Sequence, residues 1–88
     1  MKLWATTVTD EKIIGSLVYE YDHITNEDDF SAVLREVCEK MDIPTPVATR
    51  VNFTHFVMFN TTSFKPRDFV ESVNFDLLRV ESIVEKKK

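Results

Sequence analysis

Apolar residues recur along this chain at two different spacings. Phe30, Val33, Leu34, Val37, Cys38 and Met41 stand three or four residues apart, which lays one continuous apolar stripe along a helix. The stripe predicts a helix over 27–41. Asn26 is placed to cap it, and Glu27, Asp28 and Asp29 complement the positive end of its dipole, with Lys40 near the negative end. Asp42-Ile43-Pro44 ends it, because the residue before a proline is pushed out of the α region.

The first 22 residues follow a period of two. Leu3 to Val8 and Ile13 to Tyr21 are rich in β-branched and aromatic residues, and Thr9-Asp10-Glu11-Lys12 between them has the length of a hairpin loop. Strict alternation puts Ile13, Leu17, Tyr19 and Tyr21 on one face with Gly15, the expected buried face. Ile14, Ser16, Val18, Glu20 and Asp22 take the other. Gly15 in mid-strand signals a bulge or a close approach by Trp4 or a helix.

The second half is less regular. Pro44-Thr45-Pro46 makes a stiff extended connection. Val51 to Asn60 fits a strand with Val51, Phe53, His55, Val57 and Phe59 on one face, or a helix with Phe53, Phe56, Val57 and Asn60 on one face; local propensity leans to the strand. Pro66 opens a short helical turn anchored by Phe64, Phe69 and Val73, and 75–84 reads as a closing strand. The expected fold is α+β: a small antiparallel sheet, made of the N-terminal hairpin and the C-terminal strand, packed on helix 27–41.

Several of these segments also resemble a family of small uncharacterised proteins of low-GC Gram-positive bacteria. The shared features are Met1-Lys2-Leu3-Trp4, the helix end Glu39-Lys40-Met41-Asp42-Ile43 with Pro46 after it, and the late run Phe64, Asp68, Phe69, Val70, Glu71, Val73, Phe75, Asp76 and Leu78. The resemblance spans nearly the whole chain but rests on packing residues, and it brings no activity, cofactor or catalytic residue. It implies a second short helix over 50–59, with the Phe53 and Phe56 positions apolar. This chain departs from the pattern at Val57, Met58 and Phe59.

Length then bounds the answer. For 88 residues and 10.3 kDa, roughly 5,400 Å² of folded surface against roughly 15,000 Å² extended suffices for one core and little more. The chain is expected to be one domain over 1–85 with a charged tail, Lys86 to Lys88. A net charge of −4 argues against nucleic acid, and no apolar run is long enough to span a membrane. The N-terminus lacks a secretory pattern, and Cys38 has no cysteine partner, so the expected compartment is the cytosol. The two glycosylation patterns at Asn52 and Asn60 are then coincidental.

Chemistry is sparse. Gly15 is the only glycine, which excludes the glycine-rich loops that cradle phosphates. Cys38 and His55 have the residue types of a thiol–imidazole pair, but Cys38 lies on the apolar stripe, where a cysteine packs as a small hydrophobe. Glu20, Asp22, Glu27, Asp28 and Asp29 near His23 lack the spacing of a calcium loop, and Asp28 and Asp29 are explained by the helix start. Asp68 and Glu71, beside Arg67, read as caps of the short turn.

No metal, cofactor or catalytic residue is therefore expected. Aromatic content is the one functional lead, since six of the seven Phe fall in the second half. A helix over 50–59 cannot turn all its apolar side chains to one core, and exposed contiguous apolar surface marks interaction sites. The expected function is a self-associating or partner-binding module, with a face built on Phe53, Phe56, Met58 and Phe59. The alternative is a small-ligand site or enzyme using His55 and nearby carboxylates in a groove beside Phe53 and Phe56.

Overall fold

A computed structural model describes residues 1–83; the Lys86–Lys88 tail and Val84 lie outside the described residues. Four strands form one antiparallel sheet: β1 (Lys2–Thr9), β2 (Lys12–Glu20), β3 (Thr61–Phe64) and β4 (Leu77–Ile83), in the order β2-β1-β4-β3. Two helices, α1 (Glu27–Met41) and α2 (Arg50–Phe59), complete the α+β fold. The hairpin, the main helix, the second helix and the closing strand stand where the sequence places them. The fourth strand, β3, is new. Its four residues, Thr-Thr-Ser-Phe, are too few to show a period.

Local chemistry explains both helices. In α1 the Asn26 side chain accepts from the Asp29 N–H at 2.8 Å, and the Asp29 carboxylate accepts from the Thr25 hydroxyl at 2.7 Å. Asp42 ends the helix in the left-handed region, and the Ile43 N–H returns to the Cys38 carbonyl at 3.0 Å. In α2 Thr49 and Asn52 form a reciprocal capping box: the Thr49 N–H reaches the Asn52 side chain at 3.0 Å, and the Asn52 N–H reaches the Thr49 hydroxyl at 3.4 Å. These caps, with Phe53 and Phe56 packed on α1, overcome the local strand preference of Val51–Asn60. The short 3-10 turn at Pro66–Asp68 is also present.

Both helices cover the same side of the sheet. Leu3 and Ala5 of β1, Leu78 and Val80 of β4 and Phe64 of β3 meet Phe30, Leu34, Val37 and Cys38 of α1 and Phe56 of α2, all buried. Gly15, Leu17 and Tyr19 extend this face on β2.

The sequence placed Ile13 with them, and the structure corrects this. Thr7 pairs with Gly15 but Val8 pairs with Ile13, so Ile14 is an extra residue in β2. A one-residue shift in a period-two element reverses the face. Ile13 therefore joins the uncovered side, and it is 57% exposed. Gly15 sits at this bulge, where a Cβ would come within 2.8 Å of the Thr7 hydroxyl and 3.9 Å of Met41 of α1.

The β1–β2 connection is a two-residue turn, Asp10-Glu11, with both residues at positive φ (50° and 65°). That is the turn which suits the right-handed twist of a hairpin, and it favours Asn-Gly or Asp-Gly. The Asp76 carboxylate holds it by accepting from the Asp10 N–H at 2.9 Å, while the Asp76 N–H donates to the Val8 carbonyl at 2.8 Å. Glu11 carries the left-handed strain of a residue with a Cβ, so Glu11→Gly should stabilise the fold by about 1 kcal/mol in urea unfolding.

Candidate functional site

The helix α2 decides which predicted surface residues are free. Along α2 Phe56 is buried and Asn52 and Phe53 are half-buried, while Val51, His55, Met58 and Phe59 are exposed. Phe56 is buried, 5.1 Å from Phe30 between ring centroids, and the half-buried Phe53 ring is 6.0 Å from the same Phe30. The proposed face on Phe53, Phe56, Met58 and Phe59 thus divides. The first two belong to the α1–α2 contact, and only Met58 (65% exposed) and Phe59 (61%) remain outside.

Outside α2 runs a groove of about 620 Å³. Val51, His55 and Phe59 line one wall; Thr61 and Ser63 of β3, Lys65, Arg67 and Asp68 of the following turn, and Arg79 and Glu81 of β4 line the rest. Asn52 fixes its width, since its side-chain amide donates to the buried Thr62 hydroxyl at 3.2 Å and so ties α2 to the edge strand. Sequence reasoning overlooked Asn52. Its signal was the Thr49-x-x-Asn52 spacing of a capping box.

His55 stands in this groove as the alternative reading requires, with Asp68 and Glu81 among the lining residues. The geometry is not that of an acid/base pair. The imidazole rests edge-on against Phe59 at 5.8 Å, and among the described residues no hydrogen bond links it to a carboxylate. Asp68 is already engaged, its carboxylate accepting from the Lys65 N–H at 2.8 Å. Phe53 and Phe56, expected beside the groove, face the core.

The second surface is the uncovered side of the sheet. Register places Trp4, Thr6 and Val8 of β1 beside Val18, Ser16 and Ile13 of β2 and beside Glu81, Arg79 and Leu77 of β4. Lys2, Glu20 and Ile83 complete one end. Trp4, Ile13, Ile14, Val18 and Ile83 are all exposed. An antiparallel sheet facing water ordinarily turns polar side chains to it; this one turns a mainly apolar band on β2 and β1.

The other candidates fall into structural roles. Cys38 is buried, and desolvation pushes its thiol up to about 11 despite the Thr45 hydroxyl beside it. His55 is exposed on the outer side of α2, so the two do not make a catalytic pair. Asp29 lies below the usual carboxylate range because the Thr25 hydroxyl and N–H donate to it. Glu27 lies 3.8 Å from Arg50. Among the described residues, no group of three or more His, Cys, Asp or Glu is arranged to hold a metal ion, and no helix is long and apolar enough to cross a membrane.

Comparison with protein-family models, characterised proteins and solved structures finds no match to this chain. The groove and the uncovered sheet face are therefore read from their own chemistry.

Two measurements check these placements. Phe56→Ala should cost about 3 kcal/mol or more in urea unfolding, as for a large ring removed from a core, whereas Phe59→Ala should change stability by less than about 0.5 kcal/mol. At pH 8 a thiol raised to about 11 is ionised in only about one molecule in a thousand. A disulfide reagent should therefore modify Cys38 at the rate at which the fold opens, and promptly in denaturant.

Proposed function

We propose that this protein acts by binding rather than catalysis, and that a second copy of the chain docks on the uncovered face of the sheet. The supporting observation is the group Trp4, Ile13, Ile14, Val18 and Ile83, exposed together on one side of a sheet whose other side holds the core. Lys2 and Arg79 on this face are balanced by Glu20 and Glu81. A chain of net charge −4 repels its copy on average, but here a two-fold axis can set cation against anion.

Size sets the strength. Strands of eight, nine, four and seven residues, about 4.8 Å apart and about 3.3 Å per residue, present about 450 Å² per copy. Two copies bury on the order of 900 Å², just under the roughly 1,000 Å² of a stable specific interface. Association is accordingly weak and reversible. The single buried thiol and acidic surface suit a cytosolic setting, and the negative charge does not suit nucleic acid.

Sedimentation should show the weight-average mass rising from monomer toward dimer between about 10 μM and about 1 mM. Val18→Asp, on the uncovered face, should leave the fold intact and hold the protein monomeric throughout. A wild-type chain that stays monomeric over the whole range contradicts the proposal.

A further inference from the structure

We infer that the groove beside α2 receives an extended acidic peptide segment, which adds to β3 as a fifth strand. The inference rests on the reading of this chain as a binding protein but concerns the β3 edge, which meets the dimer face only at Arg79 and Glu81.

The hydrogen-bond phase of β3 carries the argument. The Ser82 N–H donates to the Asn60 carbonyl at 2.7 Å, in line with the register Thr61–Glu81 and Thr62–Val80. Hydrogen-bonded pairs alternate along an antiparallel ladder. Thr62 and Phe64 therefore spend their main-chain groups on β4, as Asn60 does its carbonyl while its N–H caps α2 at Phe56, whereas Thr61 and Ser63 turn theirs the other way. β3 is the last strand of the sheet, so these two N–H and two C=O groups point outward from its free edge. Thr61 and Ser63 both line the groove.

An exposed strand edge is a template for another strand, and the two edges of this sheet differ. The bulge at Ile14 bends the β2 edge, a usual guard against such pairing. At β3 the edge is straight in register over its four residues, and α2, tied to it through Asn52, lines the groove that runs beside it. A strand laid there meets Val51, His55 and Phe59 with side chains on one of its faces. Alternate side chains on the other face meet Lys65, Arg67 and Arg79. Against these three cations stand Glu81 and Asp68, the latter turned back to the Lys65 N–H. An acidic chain that gathers three cations in one groove favours a partner with alternating carboxylates and apolar side chains.

The test titrates the isotope-labelled full chain with acetyl-Glu-Val-Glu-Val-Glu-Val-amide and with its Lys-for-Glu counterpart, followed by amide chemical shifts. The acidic peptide should shift the Thr61 and Ser63 amides, slow their hydrogen exchange and bind more weakly as salt rises. Ser63→Pro removes an outward N–H that β4 does not use, a position where an edge strand accepts proline, and should weaken binding about tenfold or more. Arg67→Glu, in the exposed turn beside the groove and off the dimer face, leaves the main chain of β3 untouched and should weaken it by about as much, which keeps the test decisive if Ser63→Pro disturbs β3.

Absence of shifts at about 5 mM peptide overturns the inference. So does equal binding of the lysine peptide, or a response on Trp4 and Val18 in place of Thr61 and Ser63. Dimerisation is read separately from mass against concentration and does not depend on Ser63, so either proposal can fail while the other holds.

Discussion

Everything distinctive in this protein follows from having two helices for a sheet with two faces. The 15 residues of α1 and the 10 of α2 extend about 22 Å and 15 Å, and side by side they cover one face of four strands. Leu3, Ala5, Phe64, Leu78 and Val80 are buried beneath them with Phe30, Leu34 and Phe56. No other helix among the described residues is available for the opposite face. The apolar residues there are held at the surface by backbone register, however unfavourable their exposure to water.

The bulge at Ile14 makes that surface larger. In an unbroken strand Ile13 would lie with Gly15 and Leu17 under α1. The extra residue moves Ile13 next to Val8 and sets it beside Ile14 and Val18 on the open side. The same bulge bends the β2 edge, so one local irregularity widens the apolar face while discouraging pairing at that edge. At the other edge, α2 is tied to Thr62 through Asn52 and leaves a groove. The three features together suit contacts with other chains on a face and along an edge.

Much of the architecture is legible in the sequence. The stripe from Phe30 to Met41, the cap at Asn26 and the hairpin break at Asp10-Glu11 are local signals, and local signals were strong there. Helix α2 was visible through resemblance rather than propensity, because its capping box and its contact with Phe30 outweigh a β-rich composition that points to a strand. β3 escaped because four residues show no period and its pairing partner lies 14 or more residues away. For the candidate site, the idea of surplus apolar surface in the second half located Met58 and Phe59. It misplaced Phe53 and Phe56, which the helical period turns inward. The larger surplus lies on β1 and β2, where it depends on which face the helices cover and on a single bulge, neither of which a period-two reading contains.

Trp4 offers the most direct examination of the uncovered face, because it is the only tryptophan in the chain and stands at the centre of that face. Its fluorescence at low concentration should be that of a partly hydrated indole open to acrylamide. As the protein is concentrated toward about 1 mM, the emission should move to shorter wavelength and quenching should fall, as expected for an aromatic ring entering an interface. Emission and quenching that do not change with concentration would contradict the account that this face is where the protein makes its contacts.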